Sequence, residues 1–331
     1  MPELRRDPLT GRVVSYAPER AKRPVEVGET APRLIDDPAR CPFCPGKESM
    51  LSPATLLLMR SGSSIRFTSE AGDERIRDWI VKCIPNLYPA FSKEDKLRSD
   101  DELRDVRGVH EVLIDTREHD GDPWKLSLDQ IYLILLTIRE RLKQFEEERE
   151  LVFASFGKNH GPNSGASLRH PHTHLFATPI TPPLIEVEAM KLRKESCLLC
   201  DQVEEIPRDR SILATENYLA ICPWASREPY EVMIFPKSHL GKFTEMNDQN
   251  LYELSSIFST TMKALKMVLV EPSFNMILHT KPKDIEDFHW HLEIIPRTLM
   301  PMVIDVGLEV HVNTIYPEKA AKDLRAAIEK L

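Results

Sequence analysis

Hydrophobic and polar positions along the chain switch between two periods, and the switches outline the elements. Val109–Ile114 (VHEVLI) alternates with the period of two expected of a strand. Ser127-Leu-Asp-Gln130 has the spacing of a capping box. Apolar residues then recur at helical spacing to about Glu150, which predicts a long amphipathic helix. Leu151–Phe156 reads as a strand, followed by a glycine-rich loop and a second strand across His170, His172 and His174. After the break at Thr181-Pro-Pro183 the order returns: strands within Asn217–Phe235, a helix from about Asn247 to Val270, a strand at Phe274–His279 and a last strand at His289–Ile295. A final helix starts at Pro317, since proline suits the first helical position. Residues 1–40 show little periodicity and read as an arm.

Two strand-helix-strand halves, 1–183 and 184–331, with hairpin-like strands predict an α+β fold built on antiparallel sheets rather than a doubly wound one. The landmarks shift by 156 residues for the leading cysteines (41 to 197) but by 117 for the closing histidines (172 to 289). Unequal shifts exclude a strict tandem repeat and fit a diverged internal duplication.

Composition narrows the partners. With 331 residues, 41% of them hydrophobic, the chain can bury one large core or two medium ones. A net charge of −8 argues against a nucleic-acid duplex or an anionic membrane as partner. The longest apolar runs, such as Ile131–Ile138, are too short to span a bilayer. The opening MPELRRDPLTGR lacks the apolar segment of a signal peptide, so a cytoplasmic protein is expected. Four of the six cysteines form two C-x-x-C pairs, Cys41/Cys44 and Cys197/Cys200. In a reducing compartment such pairs point to metal or redox chemistry. Cys41 and Cys44 sit among Pro38, Pro42 and Pro45 rather than between a strand and a helix, which favours metal. Cys83 and Cys222 have no pairing pattern and read as core.

The stretch NHGPNSGASLRHPHTH carries the candidate chemistry. On a strand His170, His172 and His174 share one face, where desolvating three imidazoles demands partners such as a metal or a phosphate. Gly157, Gly161 and Gly165 allow close backbone approach, and Asn159, Asn163, Ser164 and Ser167 add polar contacts. The loop lacks the Walker pattern and runs into a strand. A neutral imidazole facing such a loop can attack phosphorus and split a difficult transfer into two displacements.

The ordered set of CPFC, IPNLYPAF (Ile84–Phe91), IDTREH (Ile114–His119) and N-x-G-x-x-x-G-x-S-x-x-H-P-H resembles the galactose-1-phosphate uridylyltransferase family of the histidine-triad superfamily, over nearly the whole chain. The resemblance implies two histidine-triad-like halves, usually in a homodimer, with His172 as the nucleophile. It would take a nucleoside monophosphate from a nucleoside-diphosphate sugar and hand it to a sugar 1-phosphate or to phosphate. It implies a zinc site of Cys41, Cys44, His119 and His170, with His110 the alternative for the third position. It places nucleotide contacts at Asn86, Asn159, Gly165 and Ser167. In having its own C-x-x-C, the second half is similar to the ADP-glucose phosphorylase-like branch, which implies a second zinc on Cys197, Cys200, His239 and His289 and leaves His291 over. Better-known uridylyltransferases hold at that place a metal site of a glutamate and histidines without the cysteine pair. The family commonly has glutamine two residues after the nucleophile. His174 stands there instead, as in hydrolase and transferase cousins, so hydrolysis enters beside transfer. Glu309 matches a hexose-contacting glutamate, without the family's lysine just upstream.

Overall fold

The computed structural model describes residues 3–22, 36–62, 64–91, 108–300 and 302–331. In the first half the strands are β1 (Glu3–Arg6), β2 (Val13–Tyr16), β3 (Leu56–Ser61), β4 (Ser64–Thr68), β5 (Val81–Pro85) and β6 (Val109–Ile114). Helix α1 (Leu128–Glu147) follows, then β7 (Phe153–His160) and β8 (His172–Thr178). The second half has α2 (Pro183–Ala189), α3 (Leu198–Glu204), β9 (Ser211–Ala214), β10 (Tyr218–Ile221), β11 (Val232–Pro236), α4 (Asp248–Leu269), β12 (Phe274–His279) and β13 (His291–Pro296). It closes with α5 (Val303–Leu308), β14 (Val310–Asn313) and α6 (Pro317–Ile328). The architecture is mixed α+β with a large antiparallel sheet and flanking helices, as the periodicity predicts.

Eleven strands form one sheet in the order β4-β3-β5-β6-β8-β7-β12-β13-β11-β10-β9. The order reads outward in the same sense from a seam between β7 and β12: β8 answers β13, β6 answers β11, β5 answers β10. The long helices α1 and α4 each follow the strand third from the seam, and they pack together on one face over a shared apolar core. Ser127 caps α1 by accepting from the Gln130 N–H at 3.1 Å, and Asn247 caps α4 by accepting from Asn250 N–H at 2.8 Å.

Three local expectations change. The arm is not featureless: β1 and β2 form a three-stranded sheet with β14, held parallel to β2, while residues 23–35 of it lie outside the described set. The strand after Leu151 runs on to His160, because Phe274–Ile277 pairs with it there, so Gly157 and Asn159 belong to the sheet and not to the loop. Finally β8 begins at His172 and β13 at His291, which makes His170 the counterpart of His289 and His172 the counterpart of His291. The landmark match of His172 with His289 is therefore two residues out of step.

Candidate active site and metal centres

The site occupies the sheet face opposite α1 and α4. In β8, His172 and His174 point to this face, and the register pairs Ile114 with His172 and Val112 with His174. On the other flank Gly157 of β7 pairs with His174, so β7 sets no side chain of its own beside that imidazole. A Cβ at Gly157 would come within 3.0 Å of the Met276 carbonyl, so this glycine is also fixed by the approach of the second half.

His172 is 5% exposed. Its Nδ1 lies 2.9 Å from the His170 carbonyl, an acceptor only, so Nδ1 carries the proton and the Nε2 lone pair is free. Burial, then the nearby Lys158 charge, holds its pKa below the ordinary histidine value, which keeps the ring neutral at neutral pH. Lys158 lies behind the strand on the helix side, where its Nζ binds Asp115 at 2.6 Å and the His172 carbonyl at 2.7 Å. Thr173 donates to the other oxygen of Asp115 at 2.9 Å. This buried ion pair grips the strand at His172. Replacing Lys158 with Met should strand the Asp115 charge and lower unfolding stability by roughly 3–5 kcal/mol. Urea unfolding of the variant would measure it, and a loss under about 1 kcal/mol would mean the pair contributes little.

The loop ahead of β8 turns through two left-handed glycines, Gly161 (φ 82°) and Gly165 (φ 84°), conformations that side chains resist. Gly165 and Ser167 are exposed on that loop, and Asn159 is half-buried. Asn275 of β12 donates to Asn159 Oδ1 at 2.6 Å and to the Ser164 carbonyl at 2.9 Å, so the second half braces the loop. Asn86 joins from the end of β5: its N–H donates to the His110 carbonyl at 3.1 Å, and its side chain lies 3.2 Å from His110 Nε2. Asn86 and Asn159 thus border the histidine face, while Gly165 and Ser167 lie on the loop leading into β8. Glu309 is exposed at the end of α5 in the left-handed region (φ 54°), entering the small sheet.

Cys41, Cys44, His119 and His170 place their ligand atoms within 4.8 Å of one another. Cys44 Sγ is 3.3 Å from His119 Nδ1 and 3.6 Å from His170 Nδ1, while His170 Nε2 donates to the Thr116 carbonyl at 2.8 Å. The second quartet, Cys197, Cys200, His239 and His289, repeats this plan within the same 4.8 Å. Cys200 Sγ lies 3.4 Å from His239 Nδ1 and 3.6 Å from His289 Nδ1, and His289 Nε2 donates to the Pro236 carbonyl at 2.8 Å. His239 Nε2 is held by Asp287 at 2.9 Å. The outer nitrogens of His170, His239 and His289 are anchored, that of His119 has no hydrogen-bond partner, and in both centres the Nδ1 atoms turn inward, the arrangement that orients imidazole ligands to a metal. Burial holds His170 and His289 near pKa 4 and pushes the Cys44 thiol up to about 11 and Cys200 to about 12. A cation is what would draw the thiol protons off.

Two features escape the motifs. His110, weighed as a rival zinc ligand, lies instead on the histidine face, its Nε2 3.1 Å from His174 Nδ1. The signal was there: the alternation of VHEVLI fixes its side, though not its neighbour. His291, left over from the second quartet, has a cluster of its own. It is fully buried with Glu188, His279 and Glu293, whose ligand atoms also fall within 4.8 Å, beside the ion pair of Glu293 with Arg227. His291 Nε2 and Glu188 Oε1 have no hydrogen-bond partner there. Glu188, on α2, carries no motif that could have flagged it.

A glycine-bounded loop feeding a neutral histidine with a free Nε2 fits an enzyme of the nucleotidyltransferase type, the type to which the chain's named homologues belong. The chain is homologous along its length to galactose-1-phosphate uridylyltransferases and to ADP-glucose phosphorylase. It is 27% identical over 338 residues to ADP-glucose phosphorylase of Arabidopsis thaliana, covering 98% of this chain and 92% of that one. It is also 27% identical over 346 residues to galactose-1-phosphate uridylyltransferase of Thermotoga maritima, covering 98% of each. The crystal structure of the Arabidopsis ADP-glucose phosphorylase with bound ADP-glucose superposes with a TM-score of 0.80 at 26% identity, over 98% of this chain and 99% of that one. A uridylyltransferase structure gives 0.73 at 27% identity, over 100% and 99%. No protein-family profile matches the chain.

Proposed function

We propose that the protein moves a nucleoside monophosphate from a nucleoside-diphosphate hexose to a phosphate-bearing acceptor through a covalent nucleotidyl-His172, in two halves of a ping-pong cycle. The single observation that carries this is the tautomer of His172. Its Nδ1 proton is committed to a carbonyl, and a lone pair is left on Nε2 beside a loop of the kind that cradles phosphate. In the first step Nε2 bonds to the α-phosphorus and the sugar 1-phosphate leaves with the electrons of the broken P–O bond. In the second, an acceptor phosphate oxygen displaces the imidazole, which returns to its starting form. Asn86, Asn159, Gly165 and Ser167 would contact the nucleotide, His174 the phosphoryl oxygens and Glu309 the hexose.

The leading pair of substrates is UDP-glucose with galactose 1-phosphate. A second reading, phosphorolysis of ADP-glucose, is favoured by the second cysteine pair and by the higher TM-score of the Arabidopsis enzyme. Zinc fits both Cys₂His₂ quartets, two ions per chain, since each offers two thiols and two inward Nδ1 atoms at tetrahedral-site separations. Its contribution is structural: it ties the Cys41–Cys44 knuckle to the chain just before His172. We also infer the division into halves 1–183 and 184–331, a cytoplasmic setting and a homodimer, for which exposed Met300, Val303, Val306 and Leu308 offer an apolar surface. Among the described residues no helix is long and apolar enough to cross a membrane.

The acceptor test is direct. Protein loaded from α-phosphate-labelled UDP-glucose or ADP-glucose should hold acid-labile label. Phosphate or galactose 1-phosphate should then discharge that label at least about a hundredfold faster than water. Discharge by water alone at the same rate would identify a hydrolase, and no label from either donor would leave a nucleotide binder without turnover.

A further inference from the structure

His174 sits where the reaction proposed above needs a hydrogen-bond donor, yet an imidazole donates from only one nitrogen when neutral, and which one must be set by its surroundings. Burial pushes His174 down to about pKa 3 and lowers His110 as well, so both rings are neutral near pH 7. Their tautomers follow from a chain of contacts that begins at a backbone amide. The Ala90 N–H donates to His110 Nδ1 at 3.0 Å. A peptide N–H can only donate, so His110 Nδ1 is the bare nitrogen and Nε2 carries the proton.

Among the described residues two groups lie within reach of that N–H, and only one can accept. Asn86 presents its amide NH₂ to the same atom at 3.2 Å, its own oxygen being taken by the Tyr88 N–H at 2.9 Å, and an NH₂ group cannot accept. His174 Nδ1, at 3.1 Å, can. Accepting there forces the His174 proton onto Nε2, the nitrogen at the far end of the ring. The geometry of the strands supports this. His110 faces Phe176 and lies diagonal to His174 in the β6–β8 register, with Gly157 on the other flank of His174.

We propose that His110 is a positioning residue that holds His174 in its Nε2–H tautomer, making it a hydrogen-bond donor to a phosphoryl oxygen rather than a base. The proposal rests on the nucleotidyl-transfer reading for its use, but not for its geometry. It explains how histidine can stand where relatives commonly carry glutamine: the side-chain amide donates without help, whereas the imidazole donates from the right nitrogen only when His110 sets it. A base at this position would have activated water. A donor does not, and it serves attack by any acceptor equally.

The test combines spectroscopy with a double-variant comparison. In nitrogen NMR of histidine-labelled free protein, His174 should show protonated Nε2 and bare Nδ1, and His110→Phe should convert it to a mixture or to the other tautomer. Formation of the labelled nucleotidyl intermediate should slow roughly tenfold or more in H110F, as for loss of one aligned donor. The slowing should appear in the single-turnover rate and not in substrate binding. H110Q, which keeps a donor towards Nδ1, should recover much of the rate. In an H174Q background, where the tautomer no longer matters, H110F should change the rate less than about twofold, the scatter expected of independent sites. Protonated Nδ1 on His174 in the parent protein, or an equal loss from H110F in both backgrounds, would overturn the proposal. If no nucleotide sugar labels the protein, the transfer reading falls, while the NMR result still decides the tautomer.

Discussion

Replacing His172 with Asn should abolish the labelled intermediate and reduce turnover by roughly 10⁴-fold or more, the scale on which removal of a covalent nucleophile is felt. Asparagine fits the same buried space and keeps a donor towards the His170 carbonyl, so the fold and the zinc content should survive. Rapid-quench measurement of label on the protein gives the first number and steady-state assay the second. Residual labelling at the parent rate would locate the nucleophile elsewhere, and His174 would be the next residue to change.

The second large effect concerns the metal centres. Cys41→Ser should lower the zinc content from about two to about one per chain by emission spectroscopy and reduce unfolding stability by at least about 3 kcal/mol, because the energy of metal binding is also energy of folding. The quartet ties residues before β3, after β6 and before β8, three segments otherwise joined through their ends. The sign of the pH effect follows from burial. With Cys44 pushed up to about 11, protons compete with the ion throughout the physiological range. Zinc should therefore be released progressively as pH falls and held more tightly as it rises. An unchanged metal content in Cys41→Ser would remove this residue from the site. Cys197→Ser makes the matched measurement on the other quartet, and the two losses should be independent, since the centres share no ligand.

Much of this arrangement was legible in the order of residues. The caps at Ser127 and Asn247, the helical spacing behind them and the alternation of His170, His172 and His174 are local signals, and local signals survive in a sequence. Both cysteine-histidine quartets were read from motif resemblance, and the fold gathers each set together; His119, preferred over His110, is the one beside Cys44. What was hidden depends on register and on distant partners. β1 and β2 are four residues each and gain their place by pairing with a strand some three hundred positions away. His110 becomes legible only when β6 is aligned on β8, because its neighbour is set by a diagonal across two strands. Glu188 and His291 meet beneath the second half through the fall of α2 against β13, which no short pattern encodes. Glu309 rests on resemblance alone, and it stands where α5 passes into β14 of the small sheet.

The pairing of β7 with β12 also governs how the molecule could have been assembled. Severing the chain after Thr181 would leave two fragments, each ending its sheet in a bare row of amides and carbonyls, Gly157–His160 on one and Phe274–Ile277 on the other. Neither piece would be self-sufficient: the loop ahead of His172 would lose the Asn275 amide that pins it, and the apolar layer under α1 and α4 would be split down its middle. An ancestral single-half protein with this architecture would have been obliged to find a second copy of itself to close that margin.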